Sequence, residues 1–310
     1  MICLKKSEQV PVDQEQIFLI EDLYKTVEKM EQTQEMNMTN KVNIEFLKEQ
    51  GDKNKKHPFF VQCSFPDPHH PFTPPGKYFD MYDPADIPIP EAFFHPMEKL
   101  PPNVAALHKE RDEGKANKNG QRGFGCTQEE AREAIALNYG SISMIDDAIG
   151  RVLAALDASG QADNTVVIFT TDHGDFMGDH QLLLKAAIHY QGLIRVPCIW
   201  FDPKTKTEKK TSSALTGTID MASSFLDRAG IQDFNGMQGL SLGKIATGAP
   251  GHDSIVIEES QRRGYMGFKP NFRARTLVTE DWRLTLYSDT NWGELYNLKN
   301  DPNEFFLDPL

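Results

Sequence analysis

The stretch Asn164-Thr-Val-Val-Ile-Phe-Thr-Thr-Asp-His-Gly-Asp175 sets three side chains able to do chemistry, Asp172, His173 and Asp175, directly behind an apolar run. Asp and His offer oxygen and nitrogen donors suited to a divalent cation, and Gly174 lets the backbone turn sharply beside them. The run Val166 to Phe169 is unbroken and largely β-branched, which reads as a strand covered on both faces, as parallel strands in α/β proteins are. In open α/β sheets ligands collect outside the carboxyl ends of the strands, where these residues would stand. The residue types leave two readings open: a metal or catalytic centre, and a polar loop that caps the next helix.

Lys185 follows in an otherwise apolar setting, Leu182 to Leu184 before it and Ala186 to Ile188 after it, with His180 lying between the acidic turn and the lysine. An ammonium beside apolar surface needs an anionic partner, although a lone lysine is ordinarily a surface residue. A second loop, Pro66-Asp-Pro-His-His-Pro-Phe-Thr-Pro-Pro75, leaves an expected strand at Phe59 to Phe65. Prolines at this density cannot continue a ladder, so His69 and His70 sit on a rigid loop at a strand end. A rigidly held imidazole can protonate or hydrogen-bond a leaving-group oxygen near neutral pH, and a plain surface turn is the alternative.

The elements that must position these groups are legible at intervals. Thr39-Asn40 can cap a helix that carries Val42, Ile44, Phe46 and Leu47 on one face and stops near Gly51. Ile17 to Tyr24 reads as a short helix or strand, and Glu28 to Met38 as weakly helical or loose. Gly76 to Gly125, rich in Pro and charge and poor in periodicity, reads as a long surface excursion. Thr127-Gln-Glu-Glu130 is a capping box, and Ile142, Ile145, Ile149, Val152, Leu153 and Leu156 continue its helix towards Gly160. Asp146 and Asp147 are adjacent on that helix and point in different directions, which favours packing or capping over paired metal ligation. Arg195 to Trp200 reads as a core strand, Thr218 to Ala229 as a helix ended by Gly230, and Thr276 to Tyr287 as an antiparallel hairpin.

With 310 residues the chain can bury one large α/β core with a small appendage. A net charge of −12 argues against nucleic acid or an anionic membrane as the main partner, because either needs a basic face. The four cysteines are spaced too widely for a disulfide framework or a zinc site and read as buried free thiols. No run approaches the length that spans a bilayer, and Met1 to Lys6 has no signal-peptide core, so the chain as written would stay in the cytoplasm where it is made, and would be periplasmic or secreted if a signal peptide lies upstream.

The run TVVIFTTDHGDFMGDHQLLLK with GLIRVPCIW after it resembles the second signature region of the sulfatase family, within the alkaline-phosphatase-like superfamily. FFVQCSFPDPHHPFTPP is similar to the family's strand and loop bearing a substrate-contacting His, and ELYNLKNDPNE to its closing segment. The resemblance implies an alkaline-phosphatase-like α/β fold, a doubly wound mixed sheet, over residues 1–260, and a small antiparallel C-terminal subdomain over 261–310. It also implies one divalent cation, calcium first and manganese as the alternative, between N-terminal Asp residues and Asp172 with His173. His69, which falls on the His of the family's Pro-His-x-Pro pattern, and Lys185 would be catalytic and substrate-binding, with His180 lining the site. Most members carry Asn where His173 stands, a departure shared with the choline-sulfatase-like and phosphonate-monoester-hydrolase-like branches.

The family's C/S-x-P/A-x-R stretch, source of its formylglycine, is not encoded in these residues; none of Cys3, Cys63, Cys126 and Cys198 has that context. The resemblance thus covers the C-terminal two-thirds of a sulfatase, without nucleophile or first strand. A missing strand would leave a gap or open edge in the sheet and invite self-association. The expected substrate is a small-molecule or sugar sulfate ester. A phosphonate or phosphate monoester hydrolase and a non-catalytic anion-binding pseudoenzyme are the alternatives.

Overall fold

The computed structural model describes residues 2–5, 32–53, 58–96, 100–205 and 211–307; the expected element at Ile17 to Tyr24 lies outside them. A first sheet has the order β2 (Phe60–Gln62), β1 (Ile2–Lys5), β4 (Thr165–Thr170), β6 (Cys198–Phe201). Each of its contacts is antiparallel, so β4 pairs antiparallel with both neighbours. The apolar run therefore marks a strand with Val166 and Ile168 fully buried on one face and Val167 on the other partly buried against the Leu47 and Val152 cluster, and does not report strand direction. β1 also occupies the expected gap, pairing Cys3 with both Val61 and Val167.

Two helices cover this sheet. α1 (Gln32–Lys53) packs Leu47 against Val152, Ala155 and Leu156 of the long helix, with Phe59 and Cys63 beneath. α1 starts well before Thr39, so Thr39-Asn40 is interior and not a cap; the buried Asn40 amide faces Ala148 and Arg151. The segment read as a surface excursion contains a second helix, α2 (Pro102–Asp112), whose Val104 and Leu107 lie in the largest core cluster. Its apolar positions are interleaved with charge, which hid its period. The long helix α3 (Gln128–Ala158) opens on the expected capping box, the Thr127 hydroxyl accepting from the Glu130 N–H and the Glu130 carboxylate from the Thr127 N–H. Of its expected stripe, Ile145, Val152 and Leu156 are buried while Ile142 and Leu153 face outward. Asp147 accepts from Lys77 Nζ at 3.1 Å and Tyr78 Oη at 2.6 Å, tying α3 to the turn below it.

A short ribbon joins β3 (Phe124–Gly125) to β5 (Leu182–Leu183) and leads into the single-turn helix α4 (Gln191–Ile194). α5 (Asp220–Ala229), ended by Gly230 at φ +74°, packs on α6 (Leu242–Ala246), which lies beside β6. The C-terminal sheet has the order β10 (Gly293–Asn297), β9 (Trp282–Tyr287), β8 (Phe272–Val278), β7 (Ile255–Gln261). It begins at Ile255, ahead of residue 261, because β7 pairs with β8 along its whole length. Cys63 and Cys126 are buried, but Cys198 is exposed on the edge strand β6, contrary to the expectation of buried thiols.

Candidate active site

β4 ends at Thr170 and releases the chain into Thr171-Asp-His-Gly-Asp175. Gly174 is fixed by a close approach: its N–H donates to the Leu193 carbonyl at 2.8 Å, and a β-carbon there would collide with the Gly192 carbonyl. The turn thereby holds Asp172 and His173 outward. His173 Nδ1 lies 2.7 Å from the Gly174 carbonyl, which can only accept, so Nδ1 carries the proton and Nε2 of the neutral ring presents a lone pair. That lone pair lies 3.7 Å from Asp172 Oδ2. Partial burial raises the Asp172 carboxyl, but the positive charge of His173 in its imidazolium form and hydrogen bonds from the His173 N–H and the Thr171 hydroxyl outweigh it and hold it below its ordinary value. An ionised carboxylate beside an imidazole lone pair is a donor pair that fits a divalent cation. Among the described residues no group of three or more such donors comes together. Asp175 turns inward, and burial raises its carboxyl despite the nearby Lys185.

Asp172, His173 and Lys185 line one cleft of about 2050 Å³, together with His189, Glu259 and Tyr265. His69 and His70 are not among the residues lining that cleft. Their rings stack at 4.1 Å; His69 is exposed, with Nδ1 donating to the His70 carbonyl at 2.7 Å, and His70 Nε2 is buried with no hydrogen-bond partner among the described residues. Burial first, then His69 and Lys185, hold the His70 ring below its ordinary value. Lys185 is thus among the charges acting on the His70 ring, the weaker of the two candidates in the sequence.

His180 is elsewhere. It is 1% exposed, stacked on Tyr190 at 3.7 Å, with Nδ1 2.7 Å from His95 Nδ1 and its carbonyl accepting from His108 Nε2 at 2.8 Å. It therefore packs the core under the loop and does not line the cleft. Burial, then His95, Arg283 and His108, hold its ring well below the ordinary value. The unfolded chain protonates this histidine near pH 6.5 and the folded chain only far lower, so its contribution is present above about 6.5 and lost as pH falls. Asp179 acts oppositely: burial and Glu304 raise its carboxyl to about 6, and its contribution is lost as pH rises through that value. Asp179 is common to wild type and His180→Asn, so the stability gap between them should shrink as pH drops from about 7.5 to about 5 in urea titrations. A gap that does not change with pH would show that the ring's protonation is not coupled to folding.

Sequence reasoning missed the cleft groups supplied from a distance. His189 is buried between Thr276 Oγ1 at 2.7 Å and Glu259 Oε2 at 3.2 Å. Burial raises the Glu259 carboxyl, but bonds from His189 and Gln261 and the nearby His173 bring it below its ordinary value. No local pattern announces a β7 carboxylate meeting a loop from the other sheet.

The sulfatase family model matches residues 9–231, and a second model, the C-terminal part of N-sulphoglucosamine sulphohydrolase, matches residues 178–306. An arylsulfatase of Clostridium perfringens is 32% identical over 84% of this chain and 51% of its own length. A choline-sulfatase of Rhizobium meliloti is 23% identical over 83% of the chain and 48% of itself. The chain thus spans about half the length of these curated relatives, less than the two-thirds expected. The phosphonate monoester hydrolase of Agrobacterium radiobacter shares the fold with TM-score 0.67 at 24% identity, covering 87% of this chain and 56% of that one. A protein solved with its substrate D-glucosamine-2-N,6-O-disulfate does so with TM-score 0.73 at 21% identity, over 88% and 64%. Since the family model spans β4, the acidic turn and Lys185, the chain belongs to the sulfatase family.

Proposed function

We propose that these residues form the anion-binding and leaving-group side of a metal-dependent sulfate ester hydrolase. The observation that carries the reading is that Asp172, His173 and Lys185 line one cleft, with the charge of Lys185 acting on the His70 ring. Lys185 offers positive charge to a sulfate oxygen, an interaction that strengthens as the cleft excludes water. Neutral His69 has its Nδ1 proton committed to the His70 carbonyl, so Nε2 faces out as an acceptor and donates to a leaving oxygen only in the imidazolium form. His70, held neutral at pH 7, backs that ring by stacking.

Asp172 and His173 would hold the cation, which when bound supplies Lewis-acid charge at the ester; calcium is favoured, and the imidazole admits manganese. Two donors leave most of the shell to other ligands, so the affinity expected of this chain is weak, ~10⁻³ M. The nucleophile is not among these residues. Burial pushes the Cys63 thiol up to about 11 and the Cys126 thiol up to about 12, which leaves both protonated and inert.

The purified 310-residue chain should accordingly hydrolyse a chromogenic sulfate no faster than background, with or without calcium or manganese. It should nonetheless bind the sulfate ester, and Lys185→Ala should weaken that binding about tenfold or more. Robust turnover that Lys185→Ala abolishes would show a complete site in this chain. His173 favours a second reading, a phosphonate monoester hydrolase, which predicts tighter binding of a phosphonate monoester than of the matched sulfate. Binding of neither ester would leave only a family fold without its function.

A further inference from the structure

Besides Lys185 the cleft is lined by two further cations, Arg122 and the exposed Arg195. Arg122 lies half-buried and lines the same cleft as Lys185, and its guanidinium stacks over the Tyr265 ring with the carbon 4.9 Å from the centroid. The β3–β5 ribbon brings Arg122 and Lys185 together. Its ladder ends on the Gly123 N–H donating to the Lys185 carbonyl at 2.6 Å, with Leu184 at φ +64° as the extra residue of a bulge, so Arg122 leaves the ribbon next to Lys185. Elsewhere the half-buried and buried guanidiniums are committed: Arg111 to Asp112 and Gln181, Arg228 to Asp202, Arg283 to Glu294 and Glu304. Arg122 has no carboxylate partner among the described residues. Beside it the Tyr265 hydroxyl is buried and without a hydrogen-bond partner among them.

A planar fork of N–H donors, oriented by an aromatic ring and left unpaired at a cleft wall, is built for a bidentate oxyanion. A buried hydroxyl without a partner is likewise a group that a ligand or bound water must satisfy. We propose that Arg122, with the Tyr265 hydroxyl, forms a second anion subsite beside Lys185. The substrate class is then a dianionic ester, a sugar carrying the scissile sulfate and a second oxyanion, either another sulfate or a carboxylate. This rests on the sulfate-ester reading of the cleft and narrows it, since Lys185 takes the scissile group and Arg122 the other.

The test is calorimetric titration of the 310-residue chain with three probes: glucosamine 6-sulfate, glucosamine-2-N,6-O-disulfate, and a monosulfated glucuronic acid. The dianionic probes should bind about tenfold tighter than the monosulfate. Arg122→Gln should erase that preference and leave monosulfate affinity within about twofold, while Lys185→Ala weakens all three. Arg122→Lys, which keeps the charge and the fold but not the fork, should retain only part of the preference. Whichever dianionic probe gains more identifies the second group as sulfate or carboxylate. A preference that persists in Arg122→Gln, or equal affinity for all three probes in the wild type, overturns the subsite and leaves the sulfate-ester reading standing. Failure of the wild type to bind even the monosulfate removes the reading itself, and the subsite with it.

Discussion

Arg283→Ala lowers the free energy of unfolding by about 3–5 kcal/mol in urea titrations, because it strips the counter-charge from two buried carboxylates. The Arg283 side chain is fully buried, paired with Glu294 at 3.5 Å and with Glu304, hydrogen-bonded to Thr285 Oγ1 at 2.8 Å and lying over the rings of Tyr190 and Tyr296. Glu294 also accepts from Asn103 and Tyr287, so the cluster ties α2 to β9 and β10. Burial already raises the Glu304 carboxyl against the pull of Arg283. Without the guanidinium, Glu304 takes up a proton at higher pH still, and a group whose folded value is raised contributes below its unfolded value and loses that contribution as pH rises. The variant's deficit should therefore shrink on acidification towards about pH 4.5. The triple variant Arg283→Met, Glu294→Gln, Glu304→Gln should recover much of the loss, since removing a whole buried network costs less than breaking it. A deficit below about 1 kcal/mol for Arg283→Ala would mean that the carboxylates are neutral in the wild type and that the cluster is a hydrogen-bond network without charge.

Patterns that complete themselves within a few residues were legible. The capping box at Thr127, the αL stop at Gly230, the β8–β9 hairpin and the strand-then-acidic-turn at Asp172 each depend on neighbours along the chain. What depended on remote partners was not. The apolar period of β4 says that both faces are covered, and says nothing of β1 and β6 running against it. His180 sits in a polar stretch, Gly-Asp-His-Gln, that gives no hint of Tyr190 stacking on the ring. The same limit hid Arg122, His189, Glu259 and Tyr265, which reach the cleft from four separate segments. His69 and His70 are a subtler case: they are neighbours on one loop, and only the fold decides that the first is exposed and the second half-buried.

Gly174→Ala should cost about 2–4 kcal/mol of stability, a large effect for one methyl group, and should abolish cation binding with it. The β-carbon would be placed inside van der Waals contact with the Gly192 carbonyl, a backbone atom that cannot swing aside as a side chain can. That carbonyl belongs to α4, which is anchored twice: the Leu193 carbonyl receives the Gly174 N–H, and the Gln191 N–H donates to Glu304 Oε2 at 2.8 Å. Relief therefore has to come from the acidic turn, and the turn is what aims Asp172 and His173. A shift of about 1 Å there breaks the His173 Nδ1 contact to the Gly174 carbonyl, frees the ring to rotate and removes the lone pair from the donor pair. Manganese titration followed by electron paramagnetic resonance reads the loss directly, since the bound ion's signal is distinct from the free ion's. His173→Ala separates the two consequences, because it should lose the cation while keeping stability within about 1 kcal/mol of wild type. If Gly174→Ala unfolds at the wild-type urea midpoint and still binds manganese, α4 is free to move, and the turn is not held by the closing segment.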